Sequence, residues 1–120
     1  MKRIIIIDDD KVFLDEISEV LRMSGYDVLA MTDIEFTLKK VEEVMPDMIL
    51  LDLKMNRVSG FKIATRLRAI PRIENVKIVA MTGFYTEKEH RLLMNACGID
   101  SCIIKPLKPL DIITQIEGIA

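Results

Sequence analysis

Five short apolar runs recur along this chain of 120 residues, and polar side chains follow four of them directly. The first run, Arg3–Ile7, contains four consecutive isoleucines with no polar residue between them. A strand that is covered on both faces has this pattern, whereas a half-exposed strand alternates polar and apolar residues. Stretches with helical spacing of apolar residues separate the runs, so the sequence predicts βα units and a parallel sheet.

The predicted strands cover residues 3–7, 26–31, 48–51, 76–81 and 101–104. The predicted helices cover residues 11–23, 60–69 and 87–96. A further helix begins at Thr32 or Asp33 and stops before Pro46, and a last one begins at Pro109. We expect an α/β fold with a doubly wound, five-stranded parallel sheet, the flavodoxin-like strand order 2-1-3-4-5 and helices on both faces. Five strands and five helices leave no residues for a second domain, so residues 1–120 are predicted to be one domain.

Composition excludes several classes of protein. The net charge is −2 and the chain has no Trp, so neither a basic face nor a stacking surface for nucleic acid is expected. No apolar stretch approaches the roughly 18 residues that span a membrane, and the N-terminus becomes acidic too early for a signal peptide. Cys97 and Cys102, with one histidine in the chain, cannot complete a zinc site and are predicted to be buried, reduced thiols. We therefore expect a cytoplasmic protein.

Polar residues after the strands predict a functional site. Asp8 and Asp9 follow the first strand, Asp52 the third, Thr82 the fourth and Lys105 the fifth. Parallel strands bring their carboxyl ends to one edge of the sheet, where open α/β sheets bind ligands. Carboxylates at about 4 Å repel by about 4 kcal/mol per pair at an effective dielectric constant near 20, so the cluster should bind a proton or a cation.

The residue types at this edge indicate phosphoryl chemistry. Mg²⁺ prefers oxygen ligands and needs only one or two protein carboxylates. Asp52 is the candidate nucleophile, because a carboxylate that attacks phosphorus forms an acyl phosphate. Lys105 can supply a positive charge, and Thr82 can donate a hydrogen bond to the phosphoryl oxygens. Asp10, the third acid of the first cluster, is predicted to cap the following helix.

The order of these polar residues along the chain, and the segments around them, resemble response regulator receiver domains of two-component signalling. The resemblance covers essentially the whole chain. The matching segments are IIIIDDD (residues 4–10), ILLDLKM (49–55), Gly60, MTG (81–83) and IIKP (103–106).

The resemblance implies a role for each matching residue. Asp8 and Asp9 would bind Mg²⁺ together with Asp52 and the backbone carbonyl of Lys54. Asp52 would accept a phosphoryl group from a sensor histidine kinase or a phosphotransfer protein. Thr82, the switch hydroxyl, and Lys105 would bind the oxygens of that phosphoryl group.

The same resemblance implies a signalling protein and not an enzyme. Its partner face would be formed by residues 87–97, Cys102 and residues 106–113, and would contact a downstream partner or a fused output domain. No direct contact with nucleic acid or membrane is expected, and phosphorylation could favour a weak dimer.

Three positions depart from the pattern of this family. Cys102 stands where Tyr or Phe is common, so we expect an output switch that does not use an aromatic rotamer, or one relocated to Phe84 or Tyr85. Asn56 stands where Pro is usual, which predicts a more mobile loop after Asp52. Lys54 is long and basic, and we expect it to affect the access of water to the acyl phosphate.

Two other interpretations fit part of the sequence. The segment from Ile4 to Val12 also matches the nucleophile motif of haloacid-dehalogenase-type phosphatases, with Asp8 as nucleophile and Asp10 as acid/base. That family needs a late acidic pair, which the chain offers only within its last predicted helix. The second alternative is a pseudo-receiver, which would have the fold and bind partners without being phosphorylated.

Overall fold

The computed structural model describes residues 2–53, 59–83, 88–104 and 108–119. The strands are β1 (Arg3–Ile7), β2 (Asp27–Met31), β3 (Met48–Asp52), β4 (Lys77–Thr82) and β5 (Ser101–Ile104). The helices are α1 (Lys11–Met23), α2 (Ile34–Val44), α3 (Gly60–Arg68), α4 (Lys88–Ala96) and α5 (Pro109–Ile119), with a short 3-10 helix at Ile73–Asn75.

All five strands are parallel and lie in the order β2-β1-β3-β4-β5, which confirms the predicted fold class and strand order. Ile7 pairs with Leu51, so β1 and β3 end side by side. Asp52 pairs with Met81, and Thr82 pairs with Ile104. The register therefore brings the ends of β1, β3, β4 and β5 to one edge of the sheet.

Both faces of the sheet are covered by helices. Ile4 and Ile6 point into a core shared with α1 and α5, whereas Ile5 and Ile7 point into a core shared with α2, α3 and α4. All four isoleucines are at most 1% exposed. Burial on both faces explains why β1 shows no polar alternation in the sequence.

Some element boundaries differ from the predicted ones. Asp52 and Thr82 are the last residues of β3 and β4, instead of the first residues beyond them. The ladder continues past Asp52, because the Leu53 N–H donates to the Met81 carbonyl at 3.1 Å. Asp52 therefore has residues with backbone hydrogen bonds to β4 both before and after it in the chain.

The buried stripe of α1 contains two of the four predicted residues, Ile17 and Leu21. The sequence pattern favoured Phe13, Ile17, Val20 and Leu21, whereas the buried residues are Leu14, Ile17, Ser18 and Leu21. Periodicity could not identify Ser18, because a hydroxyl carries no hydrophobic signal. Its Oγ has no hydrogen-bond partner among the described residues.

The caps of the first two helices follow the sequence. Asp10 accepts a hydrogen bond from the Phe13 N–H at 3.2 Å, and Asp33 accepts one from the Phe36 N–H at 2.9 Å.

Cys97 and Cys102 are free but only half-buried, which corrects the expectation of buried thiols. In the described part of the chain, no helix is both long and apolar enough to cross a membrane.

At the amino-terminal edge of the sheet, Arg68 links the end of α3 to two other segments, the 3-10 helix and the connection between α4 and β5. Its guanidinium donates to the carbonyls of Gly98, Ile73 and Val76, and to Asp100 Oδ2 at 2.7 Å. The same Asp100 oxygen accepts the Ile78 N–H at 2.8 Å. On the opposite face of the sheet, the Tyr26 hydroxyl donates to Glu117 of α5 at 2.5 Å.

Candidate functional site

Three aspartates meet at the carboxyl edge of the sheet. One carboxylate oxygen each of Asp8, Asp9 and Asp52 lies within 4.8 Å of the others. Asp8 is fully buried and Asp52 is 6% exposed, whereas Asp9 is exposed. The three side chains that the sequence predicted to be neighbours are therefore close together, in a group that is open to solvent on the side of Asp9.

The backbone holds Asp8 in place. Its N–H donates to the Met31 carbonyl of β2 at 3.3 Å, and its Oδ1 accepts the Asp10 N–H at 2.9 Å. Asp52 ends the neighbouring strand, one residue beyond the pair of Ile7 and Leu51. Asp52 is thus the last residue of a paired strand, and Asp8 directly follows one.

The charge arrangement favours a hard cation. At a separation of 4.8 Å, the upper limit within this group, two carboxylates repel by about 3.5 kcal/mol at an effective dielectric constant near 20. A divalent ion between them would reverse the sign of this interaction. The three ligands of the group are all carboxylate oxygens, a donor set that fits Mg²⁺ and lacks the nitrogen or sulfur ligands typical of zinc sites.

Asp10 has a different role from its two neighbours. Its Oδ1 caps α1, and it is not a member of the group formed by Asp8, Asp9 and Asp52. The phosphatase alternative requires Asp10 as a general acid/base, and this capping role does not match that requirement.

Thr82 lies on the next strand of the sheet. It is 1% exposed and comes one residue after Met81, the partner of Asp52 in the ladder. Lys105 directly follows Ile104, the residue that pairs with Thr82. Lys105 itself lies outside the described residues, as do Lys54, Asn56, Phe84 and Tyr85.

Gly60 supports the site for a reason that the sequence did not reveal. A Cβ at this position would lie 2.5 Å from the Leu53 Cα and 2.7 Å from the Asp52 carbonyl oxygen. The Gly60 N–H also donates to the Leu53 carbonyl at 3.1 Å. The first turn of α3 therefore packs directly on the backbone that carries Asp52, and spacing alone could show only that a glycine recurs there.

Cys102 lies in β5 beside Ala80 of β4 and packs partly against the core. Burial raises the pKa of its thiol, and the charge of Arg91 partly opposes this effect. A thiol in these surroundings stays protonated near neutral pH.

Comparison with known proteins agrees with this geometry. The family model described as response regulator receiver domain matches residues 4–117. The DNA-binding response regulator MtrA of Mycolicibacterium paratuberculosis is 32% identical over 117 residues, which are 98% of this chain and 50% of that protein. The regulatory protein PhoP of Bacillus subtilis, which acts in alkaline phosphatase synthesis, is 28% identical over 118 residues. The chain spans about half the length of these curated relatives.

Solved structures have the same architecture. A CheY-like receiver domain protein from Methanospirillum hungatei superposes with a TM-score of 0.86 at 29% identity, covering 98% of this chain and 92% of that one. The chemotaxis protein CheY4 of Vibrio cholerae superposes with a TM-score of 0.93 over 100% of this chain and 99% of that one, and at 22% identity it supports the fold alone. Fold, motif order and sequence similarity agree: the chain belongs to the response regulator receiver domain family.

Proposed function

We propose that this receiver domain accepts a phosphoryl group on Asp52 from a sensor histidine kinase or a phosphotransfer protein, in the cytoplasm. The observation that carries the proposal is the meeting of Asp8, Asp9 and Asp52 within 4.8 Å at the carboxyl edge of the sheet. Asp8 and Asp9, together with Asp52 and the Lys54 carbonyl, would hold Mg²⁺. The bound ion would neutralise charge that develops on the phosphoryl oxygens.

Asp52 performs the covalent step. One of its carboxylate oxygens attacks the phosphorus of the donor, and the bond between phosphorus and the imidazole nitrogen breaks. The electron pair of that bond stays on the imidazole, and Asp52 becomes an acyl phosphate. Because Asp52 ends a strand that is paired on both sides, its carboxylate is already oriented before the donor arrives.

Thr82 and Lys105 would convert the modification into a change of shape. A phosphoryl group adds negative charge and strong hydrogen-bond acceptors, and both side chains can bind these acceptors. Thr82 satisfies them better in one conformation than in another, which shifts a population between two states. The affected face comprises residues 87–97, Cys102 and residues 106–113, where a downstream partner, a fused output domain or a second copy would bind.

Acyl-phosphate formation tests this function. The protein is incubated with acetyl phosphate, with and without Mg²⁺, and its mass is measured. We expect a mass increase of one phosphoryl group that requires Mg²⁺ and is abolished in Asp52→Asn. A pseudo-receiver would show no increase under any of these conditions.

Asp10→Asn is a matched control, because it removes one negative charge next to the site while keeping the cap of α1. Asn caps helices about as well as Asp. We expect Asp10→Asn to be phosphorylated like the wild type and Asp8→Asn to be phosphorylated poorly even when Mg²⁺ is present. Turnover of a phosphate ester that survives Asp52→Asn and fails in Asp10→Asn would instead support the phosphatase alternative.

A further inference from the structure

A cavity of about 210 Å³ lies at the amino-terminal edge of the sheet, opposite the edge that carries the three aspartates. Its lining includes residues beside the starts of β1, β3 and β4 and, from α5, Ile116. We name it the amino-edge cavity. None of its described lining residues belongs to the candidate phosphoryl site or to the proposed partner face, so the proposed function gives it no role.

The register of the sheet gives this cavity an apolar floor. Ile4 pairs with Met48, and Met48 pairs with Lys77, so these three side chains form one row on the same face of the sheet. Ile4 and Met48 are 1% and 4% exposed, and Ile116 of α5 is fully buried in the same core. A hydrocarbon chain that enters the cavity would therefore leave water for an apolar surface.

The row is open on the side of β5. The first residue of β5, Ser101, pairs with Val79, which lies two residues beyond Lys77 in β4. Lys77 therefore has no partner from β5 beside it, and its side chain lines the cavity and is exposed. Lysine side chains lay their hydrocarbon stems on apolar surface and keep the ammonium group in water. The apolar row thus ends in a positive charge.

The charges around the cavity favour an anion. Lys2 and Lys77 both line it, and neither forms an ion pair with any residue that the structure describes. Asp47 is the acid of the described lining, and its Oδ2 accepts the backbone N–H of Arg3 at 2.8 Å. Two positive charges and one negative charge leave this lining with a net charge of +1.

The volume of the cavity sets the size of its ligand. A water molecule occupies about 30 Å³ in the liquid, so 210 Å³ corresponds to about seven non-hydrogen atoms. Sites for drug-sized ligands have about 300–1,000 Å³. A nucleotide or a peptide is therefore too large, whereas a carboxylate with a chain of about five carbons is of matching size.

We propose that the amino-edge cavity binds a short aliphatic carboxylate. Its chain would lie on Ile4, Met48 and Ile116, and its carboxylate would lie between the ammonium groups of Lys2 and Lys77. The apolar floor discriminates against acetate, which has no chain, and the two cations discriminate against a neutral molecule of the same shape. The flexible thioether of Met48 can adapt its position to an aliphatic chain.

The probe is pentanoate, with pentanamide as the neutral molecule of the same shape and acetate as the anion without the chain. Binding is followed at constant ionic strength by NMR on the methyl groups of Ile4, Met48 and Ile116, with Ile63 of the other core as reference. We expect a dissociation constant on the order of 1 mM for pentanoate. Acetate should bind at least about tenfold more weakly, because it lacks three methylene groups.

Two lysine variants test the source of the preference for an anion. Lys2→Gln and Lys77→Gln each remove one cation, and we expect each to weaken pentanoate about threefold and the double variant about tenfold. Pentanamide should bind the wild type about tenfold more weakly than pentanoate, and its affinity should not change in the variants. Lys62→Gln is the matched control, because Lys62 is also exposed but lies on α3, outside the lining.

Three results would overturn the proposal. The first is the absence of pentanoate binding to the wild type at 10 mM, about ten times the expected constant. The second is equal affinity for pentanoate and pentanamide, which would contradict recognition of an anion. The third is an equal loss of pentanoate affinity in Lys62→Gln and Lys77→Gln, which would show an effect of total charge and not of the cavity. All three variants change exposed side chains, so the fold should be retained.

This site is independent of the proposed phosphorylation. The titrations need neither a phosphodonor nor Mg²⁺, so failure of the proposed function would not affect them. We expect Asp52→Asn, which cannot form the acyl phosphate, to bind pentanoate with the affinity of the wild type. A loss of pentanoate binding in Asp52→Asn would contradict the placement of the ligand at the amino-terminal edge.

Discussion

Gly60→Ala tests whether close packing of α3 on β3 positions the candidate phosphoacceptor. The added Cβ would lie 2.5 Å from the Leu53 Cα and 2.7 Å from the Asp52 carbonyl oxygen, whereas ordinary contacts begin at 3.4 Å. The chain must therefore separate by about 0.9 Å at this point. Both contacted atoms belong to the backbone, so no side-chain rotation can relieve the clash.

The size of the effect follows from two opposing contributions. Overpacking in a rigid region costs about 1–3 kcal/mol, and two backbone contacts argue for the upper end. The hydrogen bond from the Gly60 N–H to the Leu53 carbonyl contributes about 1 kcal/mol more if it is lost. Replacing Gly by Ala in a helix offsets about 0.5–1 kcal/mol. We expect the free energy of unfolding to fall by about 2–3 kcal/mol, or the melting temperature by roughly 10 °C.

Gly118→Ala is the matched control. Gly118 also lies in a helix, and a Cβ there would have no atom within 4 Å. We expect this variant to be more stable than the wild type by about 0.5–1 kcal/mol. Thermal unfolding by circular dichroism, with and without Mg²⁺, measures both variants.

Gly60→Ala should also weaken Mg²⁺ binding about tenfold or more, because metal–ligand distances tolerate only about 0.2 Å and the clash falls on Asp52 itself. Isothermal titration calorimetry measures this affinity. A Gly60→Ala protein as stable as Gly118→Ala, with wild-type Mg²⁺ affinity, would refute the packing argument.

Four further variants probe other parts of the fold. Gly98→Ala and Gly25→Ala both place Ala at positive φ (82° and 95°), but only at Gly98 would the Cβ meet another side chain, Arg68 Cγ at 2.6 Å. Chemical denaturation should therefore show Gly98→Ala to be less stable than Gly25→Ala by about 1–2 kcal/mol. Equal losses of stability in the two variants would contradict this. Burial and the hydrogen bond to a glutamate of α5 raise the pKa of Tyr26 to about 12. The wild type should therefore lose stability as the pH rises from 10 towards 12. Urea titrations at pH 9 and 11 should show a smaller loss of stability for Tyr26→Phe. Ser18→Ala removes a buried hydroxyl that has no partner among the described residues, and calorimetry should show a gain of about 1 kcal/mol.

The sheet could be predicted from the sequence because each strand is marked by its own short apolar run, and this pattern occurs five times. Each strand is an apolar run bounded by turn or cap residues, and Arg3–Ile7 lacks alternation because both of its faces are covered. Parallel pairing then follows from the helices between the strands. The sequence did not reveal the short 3-10 helix at Ile73–Asn75, because three residues carry too little periodicity.

The sequence predicts which residues form the candidate site, but it does not predict the packing contacts that hold these residues in place. Asp8, Asp9 and Asp52 follow from position at strand ends, and Asp10 follows from its place before a helix. The function of Gly60 depends on a contact between segments seven residues apart, which no residue pattern encodes.

The placement of the aspartates shows how stability and function compete in this fold. Asp8 and Asp52 are nearly inaccessible to solvent, and two carboxylates no more than 4.8 Å apart repel by about 3.5 kcal/mol or more. On a loop, such side chains could move apart. At the ends of β1 and β3 they cannot, because the ladders and the N–H of Asp10 hold them. A rigid arrangement that is unfavourable for the anions alone should favour a bound cation, and the proposed transfer of a phosphoryl group to Asp52 would use this stiffness of the sheet.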